Sequence, residues 1–304
     1  MATVNTSMPK VSFKKKLHRA FSNRAKRVSR SKSGNAVMFI FVFAFAVFCA
    51  LPLVLSIGMS LKPINELYVF PPTFWPRNPT FDNYKMLFSL ISSTRVAFSR
   101  YLFNTVFITV ATTVIHVFIA SMAAYPLSKG KFLGKKTLNQ MVQLALMFVP
   151  AIADVINYQT IVSLGWLDTY MAAIAPNVAT TLGLFLITNY MSTIPDTLLE
   201  AARIDGCSDF RIYWKIVMPI CKPAWLTLII IMFQNVWGQT HTSYIYREAM
   251  KTLPYALSQI TTGGYIRVGA AQAVGTLMLL VPAIIFIFNQ TKILETMASS
   301  GIKE

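Results

Sequence analysis

Six apolar runs, of which all but the short fifth are near the length that crosses a lipid bilayer, constrain the fold of this 304-residue chain most strongly. A spanning helix needs about 20 mainly apolar residues. Because lipid offers no hydrogen-bond partners, each run must be helical. Hydrophobic residues make up 55% of the chain and charged residues only 13%, against about 25% in soluble domains. The runs are about Ala36–Met59, Leu102–Ala124, Leu138–Ile156, Met171–Asn189, Ala224–Val236 and Ala270–Phe288.

The sequence therefore predicts an all-α polytopic membrane protein with six transmembrane helices. Lysine and arginine set its expected orientation, because loops rich in them stay in the cytoplasm. With the N-terminus inside, the cytoplasmic segments hold 20 of these residues and the outer loops hold eight. Both termini are therefore expected in the cytoplasm.

Ten of the 28 lysines and arginines lie in residues 1–34, which contain no acidic residue. A basic segment beside a first span contacts anionic lipid. It has too few aromatic residues for a nucleic-acid site. The predicted organisation is a basic cytoplasmic tail (1–34), a first transmembrane helix (35–61), an extracytoplasmic loop (62–100), a transmembrane domain (101–290) with a cytoplasmic loop at 193–220, and a cytoplasmic C-terminal tail (291–304).

The two larger outer loops differ in composition. The first is rich in proline, and its residues Phe81–Ile91 are expected to form a short amphipathic helix at the membrane interface. The last, Gly238–Val268, carries many hydroxyl groups. We expect this loop to be too polar to be buried, and it is long enough to touch a partner or to serve as a passive connector.

The cytoplasmic loop at 193–220 reads as two short helices joined at a glycine. Pro195 suits a first helical turn, where its missing N–H costs nothing. Asp196 then lies near the positive end of the helix dipole. Gly206 fits a helix end that needs a left-handed residue. This pattern predicts a first helix that ends at the glycine.

A second helix is predicted at Phe210–Val217, capped by Ser208 or Asp209 and ended by Pro219. In the first helix, the small Ala201 and Ala202 would let another protein approach closely. Glu200 and Asp205 would offer it charge-assisted contacts. Two capped helices favour a docking function, and a helix lying on the lipid surface remains the alternative.

The run Glu200-Ala201-Ala202-Arg203-Ile204-Asp205-Gly206, followed by Ile216 and Pro219, resembles the E-A-A loop of type I ATP-binding-cassette (ABC) importer permeases. Other motifs are similar to the carbohydrate branch of that family, the maltose-type permeases. They are Ala123–Leu127, Leu164–Thr169, Phe74–Pro76, Pro79-Thr80, Asn83-Tyr84 and Ser300–Glu304. The resemblance covers nearly the whole chain after about residue 35.

The resemblance implies the type I importer fold and a permease subunit for sugars or oligosaccharides. Glu200, Ala201, Ala202, Asp205 and Gly206 would dock in a cleft of a cytoplasmic ATPase. The implied partners are a second homologous permease, two ABC ATPase subunits and an extracytoplasmic solute-binding protein, in a bacterial or archaeal plasma membrane. The chain would be no enzyme and would hold no cofactor, since ATP and magnesium would bind the ATPases.

One segment, Gly130–Thr137, imitates a phosphate-binding loop. It has three residues between its glycines where the motif has four, and an apolar run rather than a strand precedes it. We therefore interpret it as a basic cytoplasmic loop.

Polar residues in or near the apolar runs are candidates for a sugar pathway, because sugars are bound by hydrogen-bonding groups and aromatic faces. Hydrogen bonding between helices is the alternative, and for any single residue it is the favoured explanation. A permease for another solute, such as a polyamine or peptide, is an alternative function. An ion-coupled carrier using Asp154 is a second one. The candidates are Asp154, Asn157, Tyr158, Asn177, Gln234, Asn235 and Trp237.

Overall fold

The computed structural model describes residues 32–71, 73–92, 96–147, 150–261, 264 and 267–300, and these contain helices and no strand. The predicted basic tail therefore lies almost wholly outside the described residues. The chain divides into two compact units, residues 1–52 and 53–304. The helices are α1 (Lys32–Ser60), α2 (Ile64–Leu67), α3 (Asp82–Ser92), α4 (Phe98–Lys129), α5 (Lys135–Ala145), α6 (Pro150–Ser163), α7 (Tyr170–Val178), α8 (Thr181–Ser192), α9 (Asp196–Ile204), α10 (Asp209–Ile212), α11 (Met218–Ile220), α12 (Lys222–Trp237), α13 (Leu253–Thr261) and α14 (Val268–Ser300).

The described part of the first unit is a helical segment whose large apolar side chains are exposed. Phe39 and Phe43 lie one turn apart with their rings stacked at 6.2 Å. Phe39 is 71% exposed and Phe41 is 72% exposed. Side chains of this kind are stable in contact with lipid and unstable in contact with water.

In the second unit, α4 is the central helix and packs against α7, α8 and α12. Ile108, Ala124, Ile187 and Leu228 belong to the core that these helices share. Ala124 and Leu228 have no exposed surface. Small residues such as Ala124 allow close helix contact, which drives packing where lipid offers no hydrophobic incentive.

A second core lies between α3, α13 and α14, with Leu87, Ile91, Leu257 and Ala273 among its buried residues. The helix expected at Phe81–Ile91 is thus present as α3. Its apolar face packs on protein rather than standing free.

Four helical segments are long and apolar enough to cross a membrane, namely Gly34–Ser60, Phe98–Lys129, Tyr170–Ser192 and Val268–Ile287. A fifth candidate is a pair of helices, Asp209–Ile220 and Lys222–Trp237, bent by 75°. The four segments match the first, second, fourth and sixth apolar runs, and the bent pair matches the fifth. The third run is divided, because α5 ends at Ala145 and α6 begins at Pro150.

The prediction that the last outer loop is too polar to be buried was wrong. Its residues Ile245, Thr252 and Leu257 are 1–2% exposed. The loop is stabilised by polar groups on α4: Asn104 Nδ2 donates to the carbonyl oxygens of Ala249 and Lys251 at 3.0 and 2.9 Å. The backbone N–H of Leu253 donates to Thr105 Oγ1 at 2.7 Å. A polar loop is buried here because the helix supplies its hydrogen-bond partners.

Candidate functional site

The 193–220 loop is held against the bundle by one packed face. Leu199 and Ala202 of α9 are 2% and 7% exposed, and Ile212 of α10 has no exposed surface. All three belong to the core that contains Ala124 of α4. Tyr213, which follows α10, shares a buried hydrogen bond of 2.8 Å with Ser121 of α4. The loop is therefore a rigid extension of the membrane bundle.

The turn at Gly206 closes the first helix as predicted. Gly206 has φ of 78°, in the left-handed region that suits glycine. Its N–H donates to the carbonyl of Arg203 at 3.0 Å, and the N–H of Cys207 donates to the carbonyl of Ala202 at 3.0 Å. These two bonds form a Schellman motif, which satisfies the last carbonyls of α9.

The second helix begins where the sequence predicted, at Ser208. Its hydroxyl accepts from the N–H of Arg211 at 3.4 Å. Across the turn, Arg203 donates through Nε and Nη2 to Asp209 Oδ1 at 3.2 and 3.1 Å. This ion pair joins the two helices. It raises the pKa of Arg203, so the guanidinium remains charged.

Pro219 does not end the second helix, contrary to the prediction. After α10, residues Tyr213–Val217 form a π-helical turn, and α11 continues to Ile220. The N–H of Met218 donates to the carbonyl of Tyr213, five residues back. This wider turn relieves the clash that a proline ring makes in an α-helix. The chain bends only at Cys221, before α12.

Lys129, the last residue of α4, fixes the start of α9. Its Nζ donates to Asp196 Oδ1 at 2.8 Å, to the carbonyl of Ser192 at 3.2 Å and to the carbonyl of Ile194. The lysine side chain is 6% exposed, whereas that of Asp196 is 75% exposed. The hydrogen bond and charge of Lys129 lower the pKa of Asp196.

We expect Lys129→Met to loosen the 193–220 loop, because the methionine fills the space without bonding the two carbonyls or the carboxylate. Limited trypsin cleavage after Arg203 should become several-fold faster. Lys131→Met is the matched control, since Lys131 makes no hydrogen bond or ion pair within the described chain. Equal cleavage rates in the two variants would contradict this anchoring role.

Four of the five residues expected to dock are exposed on α9 or in the turn that follows it. Glu200, Ala201, Asp205 and Gly206 are exposed. Ala202 points into the bundle, so its small size serves packing within the chain. Sequence reasoning did not single out Ile204, which is 87% exposed on the same helix. The sequence did contain a signal for this residue: an isoleucine stands inside the polar segment Arg203–Gly206, where exposure to water favours a polar side chain.

The seven candidate pathway residues do not form one cluster. Asp154 and Tyr158 are exposed on α6, and Asn157 is half-buried beside them. The Tyr158 ring stacks on that of Tyr244 at 6.5 Å. Tyr246 Oη donates to Tyr158 Oη at 3.5 Å. This group lies where α6 meets the last outer loop.

The other candidates lie on α7 and α12. Asn177 and Gln239 exchange two amide hydrogen bonds of 3.1 and 3.0 Å, which is contact between elements of the bundle. Gln234 and Asn235 are exposed on α12. Trp237 is 5% exposed and stacks on Phe233 at 5.4 Å. Within the described residues, no cluster of three or more His, Cys, Asp or Glu side chains could hold a metal ion.

Asp168 fastens the last outer loop. The residue has φ of 55°, and its Oδ1 accepts from the N–H groups of Tyr246 and Arg247 at 2.5 and 2.9 Å. Its own N–H donates to the carbonyl of Tyr244 at 3.1 Å. The N–H of Arg247 is the largest cause that lowers the pKa of this carboxyl, and the N–H of Tyr246 adds to it.

This lowered pKa predicts a pH-dependent clamp. The ionised Asp168 carboxylate stabilises the loop fully above pH 3.8, the pKa of this carboxyl in the unfolded chain. The stabilisation is lost as the pH falls through the lower pKa of the folded chain. Hydrogen-exchange protection of the Tyr246 and Arg247 amides should therefore fall in acid. Asp168→Asn keeps an acceptor oxygen and tolerates the left-handed backbone. Its protection should be weaker and should not change with pH, and an unchanged acid step in this variant would contradict the assignment.

Comparison with known proteins identifies the family. The family model described as "binding-protein-dependent transport system inner membrane component" matches residues 24–299. The polygalacturonan/rhamnogalacturonan transport system permease protein YtcP of Bacillus subtilis is 31% identical over 68% of this chain and 70% of its own length. The arabinooligosaccharides permease protein AraQ of the same organism is 29% identical over 88% and 93%. The trehalose permease protein SugB of Mycobacterium tuberculosis is 28% identical over 88% and 96%.

Solved structures show the same fold. A chain of a bacterial ABC transporter involved in the import of the acidic polysaccharide alginate superposes with a TM-score of 0.70. The match covers 86% of this chain and 98% of that chain at 20% sequence identity. A chain of the MetNI methionine ABC transporter gives a TM-score of 0.52 over 70% of this chain and 98% of its own, at 18% identity.

Proposed function

Because this chain belongs to the family of binding-protein-dependent transport system inner membrane components, we propose that it is a permease subunit of an ATP-driven saccharide importer. It is a multi-pass protein of the plasma membrane and a transport component rather than an enzyme. In the proposed complex it forms half of the pathway. A second permease forms the other half, two ATPases bind on the cytoplasmic side and a solute-binding protein docks outside.

The proposed topology has six spanning segments with both ends in the cytoplasm. α1, α4, the pair α7–α8 and α14 supply four, and the bent pair ending in α12 supplies a fifth. α5 and α6 would form the remaining segment, and of the residues between them only 148 and 149 lie outside the description. The excess of lysine and arginine on the proposed cytoplasmic side supports this orientation. α14 continues to Ser300, so the expected tail at 291–304 begins inside a helix.

The proposal that this chain couples to an ATPase rests on the contacts that hold the 193–220 loop rigid. α9 is capped at Gly206, joined to α10 by the Arg203–Asp209 pair and anchored by Lys129. Its opposite face stays exposed, including Glu200 and Ile204. A partner that grips this face can move α4 and α8 as rigid bodies, because the loop packs directly on them. An exposed flexible loop would absorb the same force.

The saccharide class rests on the names of the relatives. Three of them are named for polygalacturonan and rhamnogalacturonan, arabinooligosaccharides and trehalose. These solutes share a polyhydroxylated chemistry and differ in size and charge.

The test is uptake into liposomes that contain this chain with its cognate permease, ATPases and binding protein. We expect accumulation of at least one of three labelled probes, arabinotriose, trehalose and digalacturonate, only with enclosed ATP and added binding protein. Uptake without ATP would indicate an ion-coupled carrier. ATP-driven uptake of a polyamine or peptide, with none of the three saccharides, would indicate a different solute class.

A further inference from the structure

A polar cavity of 290 Å³ lies between the end of α4, α5 and α8. Protein sites for small molecules start at about this size. Its polar lining consists of Ser128, Lys135, Asn139, Gln143, Thr188, Asn189 and Ser192. None of these residues is among those expected to form the pathway, which lie on α6, α7 and α12.

Three side chains in this cavity have hydrogen-bonding groups with no partner among the described residues. The side-chain amides of Gln143 and Asn189 bond to no residue in the described ranges. Thr188 Oγ1 is buried and likewise has no partner among the described residues. Gln143 and Asn189 are exposed, so water can reach their amides. Buried polar groups such as Thr188 Oγ1 are nearly always paired, so a polar occupant or water is expected beside this hydroxyl.

The lining fits a saccharide. Amides and hydroxyls both donate and accept, as sugar hydroxyls do. Phe185 adds an aromatic face that can cover the C–H surface of a sugar ring. The lining contains no carboxylate, and its single cation, Lys135, donates to the carbonyl of Ser128 at 2.8 Å. A lipid chain would leave the three free polar groups unpaired.

The cavity is joined directly to the 193–220 loop. Ser192 lines the cavity, and its carbonyl accepts from Lys129 Nζ, which also binds Asp196 at the start of α9. A displacement of α9 is therefore transmitted to the Asn189–Ser192 turn of α8. We expect the movement that couples to an ATPase to change the width of the cavity as well.

We propose that this cavity is a release site, where a transported saccharide binds on its way to the cytoplasm. This inference rests on the proposed function, because it takes the solute class and the orientation from it. It adds a second set of residues, Gln143, Thr188 and Asn189, and assigns them to the cytoplasmic half of the pathway.

The first test compares two leucine substitutions on α5 and α8 with a matched control. Gln143→Leu combined with Asn189→Leu removes two free amides and should lower saccharide uptake about tenfold. Binding-protein-stimulated ATP hydrolysis should stay within about twofold of wild type, since the ATPase contacts are untouched. Gln140→Leu makes the same change one turn away, outside this cavity, and should leave uptake unchanged. Wild-type uptake in the double variant would overturn the proposal.

The second test probes occupancy directly with N-ethylmaleimide in the assembled transporter. A Gln143→Cys thiol should react, and the saccharide that wild type transports should slow the reaction several-fold. A Gln140→Cys thiol should react at a rate that the saccharide does not change. A Gln143→Cys thiol that stays unreactive would show that the cavity is closed to solutes in the assembled transporter, and equal rates with and without saccharide would show that no saccharide binds there. Either result would overturn the release site.

These outcomes are separable from failure of the proposed function. If the wild-type complex takes up none of the three saccharides, the solute class is wrong. If wild type transports and the double variant transports equally well, the importer stands and only the release site fails.

Discussion

A chain that carries Ile204→Asp is expected to lose ATP-driven uptake by about 30-fold or more while remaining folded. Ile204 is 87% exposed, so the substitution removes no packing within the chain. An apolar side chain that fills a pocket at a protein interface contributes about 2 kcal/mol or more to binding, which corresponds to that factor. A buried, unpaired aspartate would weaken the contact further. Uptake and ATP hydrolysis should be measured on the same liposomes.

Leu133→Asp is the control for this experiment. Leu133 is fully exposed and apolar, and it lies in the other basic loop, between α4 and α5. The same change there should leave uptake near the wild-type level. If Leu133→Asp abolishes uptake and Ile204→Asp does not, the coupling surface lies on that loop and the account of α9 is wrong.

Gly183→Val is expected to prevent normal packing of the bundle. A Cβ atom at position 183 would lie 2.1 Å from His116 Nε2 and 2.8 Å from Leu228 Cδ1. His116 has little room to move, because it is 1% exposed and its Nδ1 donates to the carbonyl of Val178 at 2.8 Å. Overpacking of this kind costs about 3 kcal/mol. The melting temperature should fall by about 5–10 °C.

The bond from His116 explains why this position is sensitive. α7 ends at Val178 and α8 begins at Thr181, so the carbonyl of Val178 lacks its usual helical partner. His116 supplies that partner, and glycine at 183 lets the ring approach. The control is Gly275→Val in α14, where a Cβ meets no atom within 4 Å. A similar melting temperature for both variants, measured by scanning fluorimetry, would show that the α4–α8 contact is not tight.

Local chemistry made the 193–220 loop predictable. Gly206 and Ser208 act through the backbone within a few residues, so their positions fix a helix end and a helix start without knowledge of the rest of the fold. Pro219 was misjudged because a π-helical turn precedes it, and the first residue of that turn, Tyr213, is hydrogen-bonded to Ser121 of α4. That contact spans 92 residues, and no local pattern reveals it.

Other features depended on tertiary partners in the same way. Composition suggested an exposed outer loop, yet Asn104 and Thr105 of α4 pair with its backbone and bury it. The third apolar run looked continuous because hydropathy does not report where a helix ends. The amide of Asn177, a candidate for solute contact, pairs with Gln239, a partner 62 residues away that no local pattern reveals. At the candidate site, the motif Glu200–Gly206 could be recognised from the sequence. The anchoring role of Lys129 could be seen only in the structure, because its partners lie more than 60 residues away.

Site-specific cross-linking in the assembled transporter tests the central claim most directly. A photoreactive benzoyl-phenylalanine placed at Glu200 or at Leu133, both exposed, reports which protein lies next to each position. The account predicts that the probe at position 200 forms a covalent product with the ATPase subunit, and that saturating ATP changes its yield. A probe at position 200 that captures only lipid, while position 133 captures the ATPase, would contradict it.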